Sequence, residues 1–411
     1  MRTHHLARYF SGINVFGRAA GFCELKVELE KTNPAPSVSR IRSILAPIHE
    51  IREVLAPEFL LWFSTTADKV FDTVMRMSDE DLKNDFRAAS DSVLFMSTLY
   101  RYSQRADAGQ VADMRRLQFA LKGFRSPFLE RRLNSLNDIN DIIEVLDSKD
   151  PSVRDEEYGP FWVTKDFMCN WLAENDILDS IFTRNLHLEI LKRSYRILCF
   201  LALHERLGCR EIEMIWEVAV GKHESIQKSI YELLTAITRC LQPELLRVMI
   251  DLIRNLPHSN YTAQHMETLK HIAHSLVKKE TKKELDYRFV GPEILWSLIQ
   301  DEVRFSQPEL HLLAVEGLTS ILELNECRGI RTEYFAKCVK NVERHKSVLQ
   351  SLTVMEKLIN TIASKRKKPE VGWGNLDGVN DEHHLVTLVI DDLVHYHQCV
   401  PASSTVSAPI A

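Results

Sequence analysis

Glycine and proline are both scarce in this 411-residue chain, at 14 residues each, and aromatic residues make up only 8%. That scarcity, set beside abundant Leu, Ile, Glu, Lys and Arg, favours helix over sheet. No run of apolar residues approaches the roughly 18–20 needed to span a bilayer. The longest lies around Ile197–Leu203 and carries the pattern of an amphipathic helix. Excess positive charge is missing as well: the net charge is -5, so no global basic field attracts a nucleic-acid backbone. The eight cysteines contain no CxxC pair, and reduced core thiols in the cytosol or nucleus explain them better than a disulfide framework. The N-terminus lacks a continuous apolar core and is not read as a signal peptide. Arg2, Arg8 and Arg18 with no acid in residues 1–20 leave a transit peptide as the alternative. These absences lead to an expected cytoplasmic location, with the nucleus as a second one. They also lead to no expected nucleic acid, membrane insertion, small-molecule ligand, cofactor or metal.

What is present is helical periodicity. The organising stretch is Phe161–Ile237, where apolar residues recur at helical spacing between single punctuating residues. The chain suits two or three domains or one elongated array. Ile41, Ile44, Leu45, Ile48, Ile51 and Leu55 share one face; Pro47 is expected to kink or divide that helix, and Pro57 to end it. Ser126-Pro127 reads as an N-cap followed by a first-turn proline. Thr164 reads as a cap, Asn175 as a left-handed helix end, and 186–207 as one helix of roughly 33 Å closed by Gly208. Ser306-Gln307-Pro308-Glu309 reads as a capping box. Helix pairs recur about every 35–45 residues across 164–364, the period of HEAT and armadillo arrays. One pair cannot bury its apolar face alone, so neighbours must stack. The expected fold is therefore all-α, an armadillo/HEAT-like superhelix. Residues 1–110 form an irregular helical N-terminal part, 111–364 the repeats, 365–380 a basic and Gly-rich loop, 381–399 a terminal helix, and 400–411 a disordered tail.

Several segments, in order, carry a specific resemblance. INVFGRAAGF at 13–22, APEFL at 56–60 with MSDEDLKND at 77–85, and LNSLNDINDII at 133–143 form the first half. W-L-x-x-N-D-I-L at Trp171–Leu178, I-W-x-x-A-x-G-K-H-E at Ile215–Glu224 and HHLVTLVIDDL at 383–393 form the second. Together they resemble the armadillo-like region of the giant fat-facets-type ubiquitin-specific proteases, while parts of 186–207 resemble a sister branch of them. The resemblance implies a non-catalytic region lying upstream of a papain-like cysteine protease domain and engaging protein partners or ubiquitinated substrates. The family's Thr-Cys-Tyr and Gly-His-Tyr boxes do not occur in this sequence, so a fragment of a larger protein is expected, with no catalytic residue here. The alternatives are a free-standing armadillo adaptor and an enzyme with an unrecognised site.

Individual residues are weighed against that frame. Trp171, Asn175, Ile215 and Trp216 mark the family and read as structural. Gly221, Lys222, His223 and Glu224 lack the rest of a phosphate loop. They read as a tight inter-helix turn and, through the resemblance, as candidate partner contacts. His395, His397 and Cys399, with His383 and His384, do not follow zinc-ligand spacing. His271 and His274 share a helix face without a second pair. Lys365-Arg366-Lys367-Lys368 reads as a solvated helix end, with a nuclear signal or an acidic-partner site as alternatives. Far-UV circular dichroism is expected to be helix-dominated, and a sheet-rich spectrum would overturn the fold assignment.

Overall fold

Heptad-like apolar stripes leave each helix with one face that must be covered, and the computed structural model covers them by stacking helix on helix. It describes residues 11–103, 107–148, 162–184, 186–279, 285–364 and 383–399. Among these there is no strand. The class is all-α, made of armadillo/HEAT-like helical repeats, as the periodicity implies. The chain divides into two compact units, 1–206 and 207–411. The basic run at 365–368 and the segments 365–380 and 400–411 lie outside the described residues.

In the first unit the helices are α1 (Gly21–Glu30), α2 (Val38–Glu50), α3 (Pro57–Arg76), α4 (Phe86–Arg101), α5 (Ala108–Phe124), α6 (Leu129–Asp147), α7 (Lys165–Glu174) and α8 (Leu188–Leu203). Each packs on its sequence neighbours or the next but one: α1 on α3, α2 and α3 on α4, α4 on α5, α5 on α6, and α6 on α8. Phe22, Phe59 and Phe63 meet edge-on, with Phe22 centroids 5.0 and 5.7 Å from the other two, a favoured aromatic geometry. Gly17 permits this approach, because a Cβ there would fall 2.5 Å from the Phe22 ring.

In the second unit the pairing is regular. The first helices of the pairs are α9 (Cys209–Ala219), α11 (Pro243–Arg254), α13 (Val290–Leu298) and α15 (Arg331–Glu343). Their partners are α10 (Glu224–Ile237), α12 (Ala263–Lys279), α14 (Glu309–Leu322) and α16 (Val348–Ser364). Each first helix packs on its own partner, and the partners α10, α12, α14 and α16 pack successively on one another as a layer. The contribution of α11 is typical: Leu245, Leu246, Met249, Ile250 and Ile253 are buried at i, i+1, i+4, i+5 and i+8. Full burial of each such side chain is worth about 1.5–3 kcal/mol. A last helix, α17 (Leu385–Cys399), packs on α15 and has no buried residue.

Helix ends are where local reading and structure part. Pro47 stays inside an undivided α2, and Pro57 opens α3 rather than only ending the element before it. The helix expected over 186–207 runs Leu188–Leu203, and Gly208 is the N-cap of α9, where its N–H donates to Glu211 Oε2 at 2.9 Å. Asn175 keeps φ -97°, while Asp176, at φ 53°, takes the left-handed position. Ser126 donates to Asp79 Oδ1 at 3.0 Å, and its Oγ accepts from the Phe128 N–H, so α6 starts two residues later than a Ser126 cap predicts. Ser306 likewise donates to the Ser259 carbonyl instead of closing a capping box on α14. In both cases a tertiary partner outcompetes the local cap. Thr164 does cap α7, accepting from the Phe167 N–H at 3.1 Å.

Cations from neighbouring helices fill the carbonyl ends. Lys122 on α5 donates to the carbonyls of Val74, Met75 and Met77 at the end of α3, at 3.4, 2.5 and 2.6 Å. Arg331, 1% exposed, donates to those of Leu322, Glu323 and Leu324 after α14, at 2.7, 3.1 and 2.9 Å. Arg331→Met leaves buried carbonyls unpaired and is expected to cost about 3 kcal/mol or more. Urea denaturation of the full chain measures this, with hydrogen exchange over 309–324 as the local readout. A loss under about 0.5 kcal/mol, the scatter of an ordinary surface substitution, would contradict the capping role.

Candidate partner-binding groove

The layer of partner helices in the second unit exposes one face of α10, α12 and α14 side by side, and a groove of about 840 Å³ runs across it. The spacing on each helix explains its lining. Gln264, Glu267, Lys270, His271 and His274 stand at i, i+3, i+6, i+7 and i+10 on α12, one outward stripe. Thr235 comes from α10 and Arg239 from just beyond its end, while α14 gives Leu313 and Ser320. Thr235 Oγ1 lies 2.7 Å from Thr268 Oγ1 and ties α10 to α12 beneath the groove. A volume in the range of about 300–1,000 Å³ is typical of ligand-holding clefts.

The wall toward α9 is aromatic. Tyr231, 7% exposed, lies with its ring 5.0 Å from Trp216 and 4.4 Å from His265. His265 Nδ1 accepts from the Thr262 N–H at 3.1 Å. Burial in this nest pushes the His265 imidazole down to about 4. Trp216 is thus a packing residue of the layer beneath, and Ile215 is fully buried beside it. In the first unit Trp171 is 6% exposed, and its carbonyl accepts from Asn175 Nδ2 at 2.9 Å.

Charge around the groove is arranged in pairs. Glu267 accepts from Lys270, and its Oε1 lies 3.0 Å from His271 Nε2. Desolvation opposes ionisation of Glu267, yet the Lys270 hydrogen bond and its charge, followed by the same two effects from His271, hold its carboxyl below the usual range. Glu232 lies 3.9 Å from Lys228. The His274 imidazole titrates below its ordinary value, first through burial and then through Lys278 and His271, with Glu326 opposing.

The turn expected to touch partners stands elsewhere, at the α9–α10 corner. Gly221 has φ +73° and open space where a Cβ would be. His223 Nδ1 accepts from the Ser225 N–H at 3.3 Å, Gln227 Nε2 donates to the Lys222 carbonyl at 2.9 Å, and Glu224 opens α10. These four residues close a turn and do not line the groove. His271 and His274, a shared face in the sequence, do line it. The residues of α10 and α14 that complete it were missed, because they lie tens of positions away and nothing in their own helices marks them.

Three buried thiols are held away from the nucleophilic form. Burial pushes Cys327 up to about 11 and Cys338 to about 12, and raises Cys169, away from the reactive thiolate. Near the C-terminus the structure brings together a set the sequence spacing did not: Cys399 Sγ is 3.6 Å from His395 Nε2, the His395 ring stacks at 3.6 Å on His345, and His345 Nδ1 is 2.8 Å from Asp392. His397 is exposed, and His383 lies 5.2 Å from the Phe335 ring. Among the described residues no group of three or more His, Cys, Asp or Glu is arranged to hold a metal. No helix among them is long and apolar enough to cross a membrane.

Comparison with known proteins gives a consistent result. The family model for the UBP24/USP9X/USP9Y ARM repeat matches residues 110–410. Ubiquitin carboxyl-terminal hydrolase 34 of Homo sapiens is 31% identical over 206 residues, covering 49% of this chain and 5% of that protein. Ubiquitin carboxyl-terminal hydrolase 9X of Mus musculus is 21% identical over 407 residues, 93% of this chain and 16% of that one. The probable ubiquitin carboxyl-terminal hydrolase FAF of Drosophila melanogaster is 21% identical over 429 residues, 96% and 15% respectively. The chain therefore spans at most 16% of the length of these relatives.

The histidine of the aromatic nest gives a pH prediction. His265 takes up its proton near 6.5 when unfolded and near 4 when folded. The unfolded state thus binds more protons between those values, and stability falls as pH drops through that window, by up to about 1.4 kcal/mol per pH unit from this residue. His265→Phe should flatten that slope. Urea midpoints measured at pH 7 and pH 5 for both chains test this, and equal slopes would reject it.

Proposed function

This chain belongs to the UBP24/USP9X/USP9Y ARM-repeat family, the ARM region of USP9X-like ubiquitin-specific proteases, and we propose that it is a non-catalytic scaffold that recognises protein partners or ubiquitinated substrates. The observation that carries this reading is the groove across α10, α12 and α14: a face of adjacent helices lined by polar and charged side chains together with Tyr231, Leu313, Ala236 and Ala263. Helical-repeat stacks present such faces, and the side chains on them select partners. The shielded, upshifted thiols of Cys169, Cys327 and Cys338 fit a structural use of cysteine. In this reading isopeptide hydrolysis at the ubiquitin C-terminus belongs to a cysteine-protease domain elsewhere in a longer protein, and this region delivers what that domain cuts, in the cytoplasm and also in the nucleus.

The test separates recognition from chemistry. The purified chain is incubated with a ubiquitin–fluorophore conjugate and with a ubiquitin active-site probe, and neither turnover nor covalent labelling is expected. In a ubiquitin-specific protease carrying this region, its deletion should slow cleavage of ubiquitin from a protein substrate while leaving ubiquitin–fluorophore hydrolysis unchanged. Turnover by the isolated chain, or equal loss on both substrates, would overturn the proposal.

A further inference from the structure

The last helix holds the densest group of exposed large apolar side chains among the described residues. On α17, Ile390, Leu393 and Val394 are 53, 61 and 50% exposed, with Tyr396 open beside them. Ile390, Leu393, Val394 and His397 follow i, i+3, i+4 and i+7, so they share one face of the helix. Leu385, Leu388, Val389 and Asp392 repeat that spacing five residues earlier, about 140° around the helix, and are half-buried. Asp392 meets His345, just beyond α15, at 2.8 Å, and α17 packs on α15. The helix therefore carries two apolar stripes, of which one is covered and one faces out. A helix that is apolar on both sides has the pattern of an element between two layers.

The rest of the unit shows what covers such a stripe. α9, α11, α13 and α15 each pack on a partner helix of their own, and α17 stands on α15 as α11 stands on α9. Another amphipathic helix is thus the shape that continues this interface. Charge narrows the choice. α17 has Asp391 and Asp392 and neither lysine nor arginine. Asp392 is engaged by His345, whereas Asp391 is exposed at the edge of the outward stripe, about 60° from Val394. His395, one turn further on, stacks on the His345 ring. A second α17 offers Asp391 no lysine or arginine, so the better fit is a different helix, with a basic residue beside its apolar stripe.

We propose that the outward face of α17 binds an amphipathic helix of a partner protein, with that helix's apolar stripe on Ile390, Leu393 and Val394 and a lysine or arginine beside Asp391. This rests on the recognition role proposed above and adds a second surface, none of whose residues line the groove. The mode is docking of a helix by i, i+3, i+4 and i+7 anchors.

The probe is a fluorescein-labelled helical peptide of Leu, Lys and Ala, with its leucines in one such stripe and lysines flanking them. Anisotropy on the full chain compares it with its Glu-for-Lys counterpart and with a peptide of the same composition whose leucines are scattered. The striped lysine peptide should bind more tightly than both. Ile390→Asp combined with Leu393→Asp should weaken it about tenfold. Asp391→Asn, the milder variant, should abolish the preference for lysine over glutamate. Hydrogen exchange should show protection over 385–399, with the Leu188–Leu203 helix of the first unit as the unprotected reference. Equal binding of striped and scattered peptides, a preference for glutamate, an unchanged affinity in a folded variant, or protection away from α17 would each overturn the proposal. So would light scattering that shows a dimer lost in the double variant, which makes the occupant a second copy. Protection of 385–399 in a longer protease without any partner would overturn it too, because the covering helix would then belong to the same polypeptide. If the peptide fails while deletion of the region still slows substrate cleavage, the α17 site falls and the recognition role stands.

Discussion

A helix that ends inside a protein leaves its last carbonyls without water, and both units of this chain depend on how that is solved. In each, a cation reaches across from another helix. Lys122 gathers three carbonyls at the end of α3, and Arg331 gathers three after α14. The N–H side has its counterpart in Asp113, whose buried carboxylate pairs with Arg101 and accepts from the N–H groups of Trp162 and Val163 at 2.7 and 3.0 Å. Burying a lone charge costs several kcal/mol, and these charges are tolerated because backbone groups and ion partners surround them. The consequence is geometric. Apolar stripes allow helices to slide on one another, whereas a guanidinium or ammonium holding three carbonyls sets the register of one helix against the next.

The groove follows from helix stacking, α10 on α12 and α12 on α14. Once α10, α12 and α14 are held side by side, the outward stripes of the three helices form a common surface whether or not any of them carries a recognisable motif. Its floor is stiff: Trp216, Tyr231 and His265 pack behind it, and Thr235 meets Thr268 beneath it. Its rim is polar and adjustable.

Reading residues in order reached the helices and their pairing, since periodicity is a local property of ten to twenty positions. It was weaker at helix ends. Ser126 and Ser306 have the chemistry of caps, yet Asp79 and the Ser259 carbonyl, both 47 positions away, take their hydroxyls. Asp176 rather than Asn175 adopts the left-handed conformation, a choice between adjacent residues of similar propensity. The candidate groove was not legible in the sequence: His271 and His274 were weighed there only as an incomplete metal pair, and they line it with residues of other helices. Gly221–Glu224 is the inter-helix turn that its residues imply.

The amino-acid sequence by itself determined that this chain would be helical, that its helices would pair at about 40-residue spacing, and that its family would be that of the ubiquitin-specific protease ARM repeats. Each of these is written in short-range pattern or in ordered short motifs. Which surface faces outward as a groove, which cations close which helix ends, and which histidines come together were decided only by tertiary structure. The reason is distance along the chain: those arrangements join residues tens of positions apart, and each one depends on a register that no single helix carries.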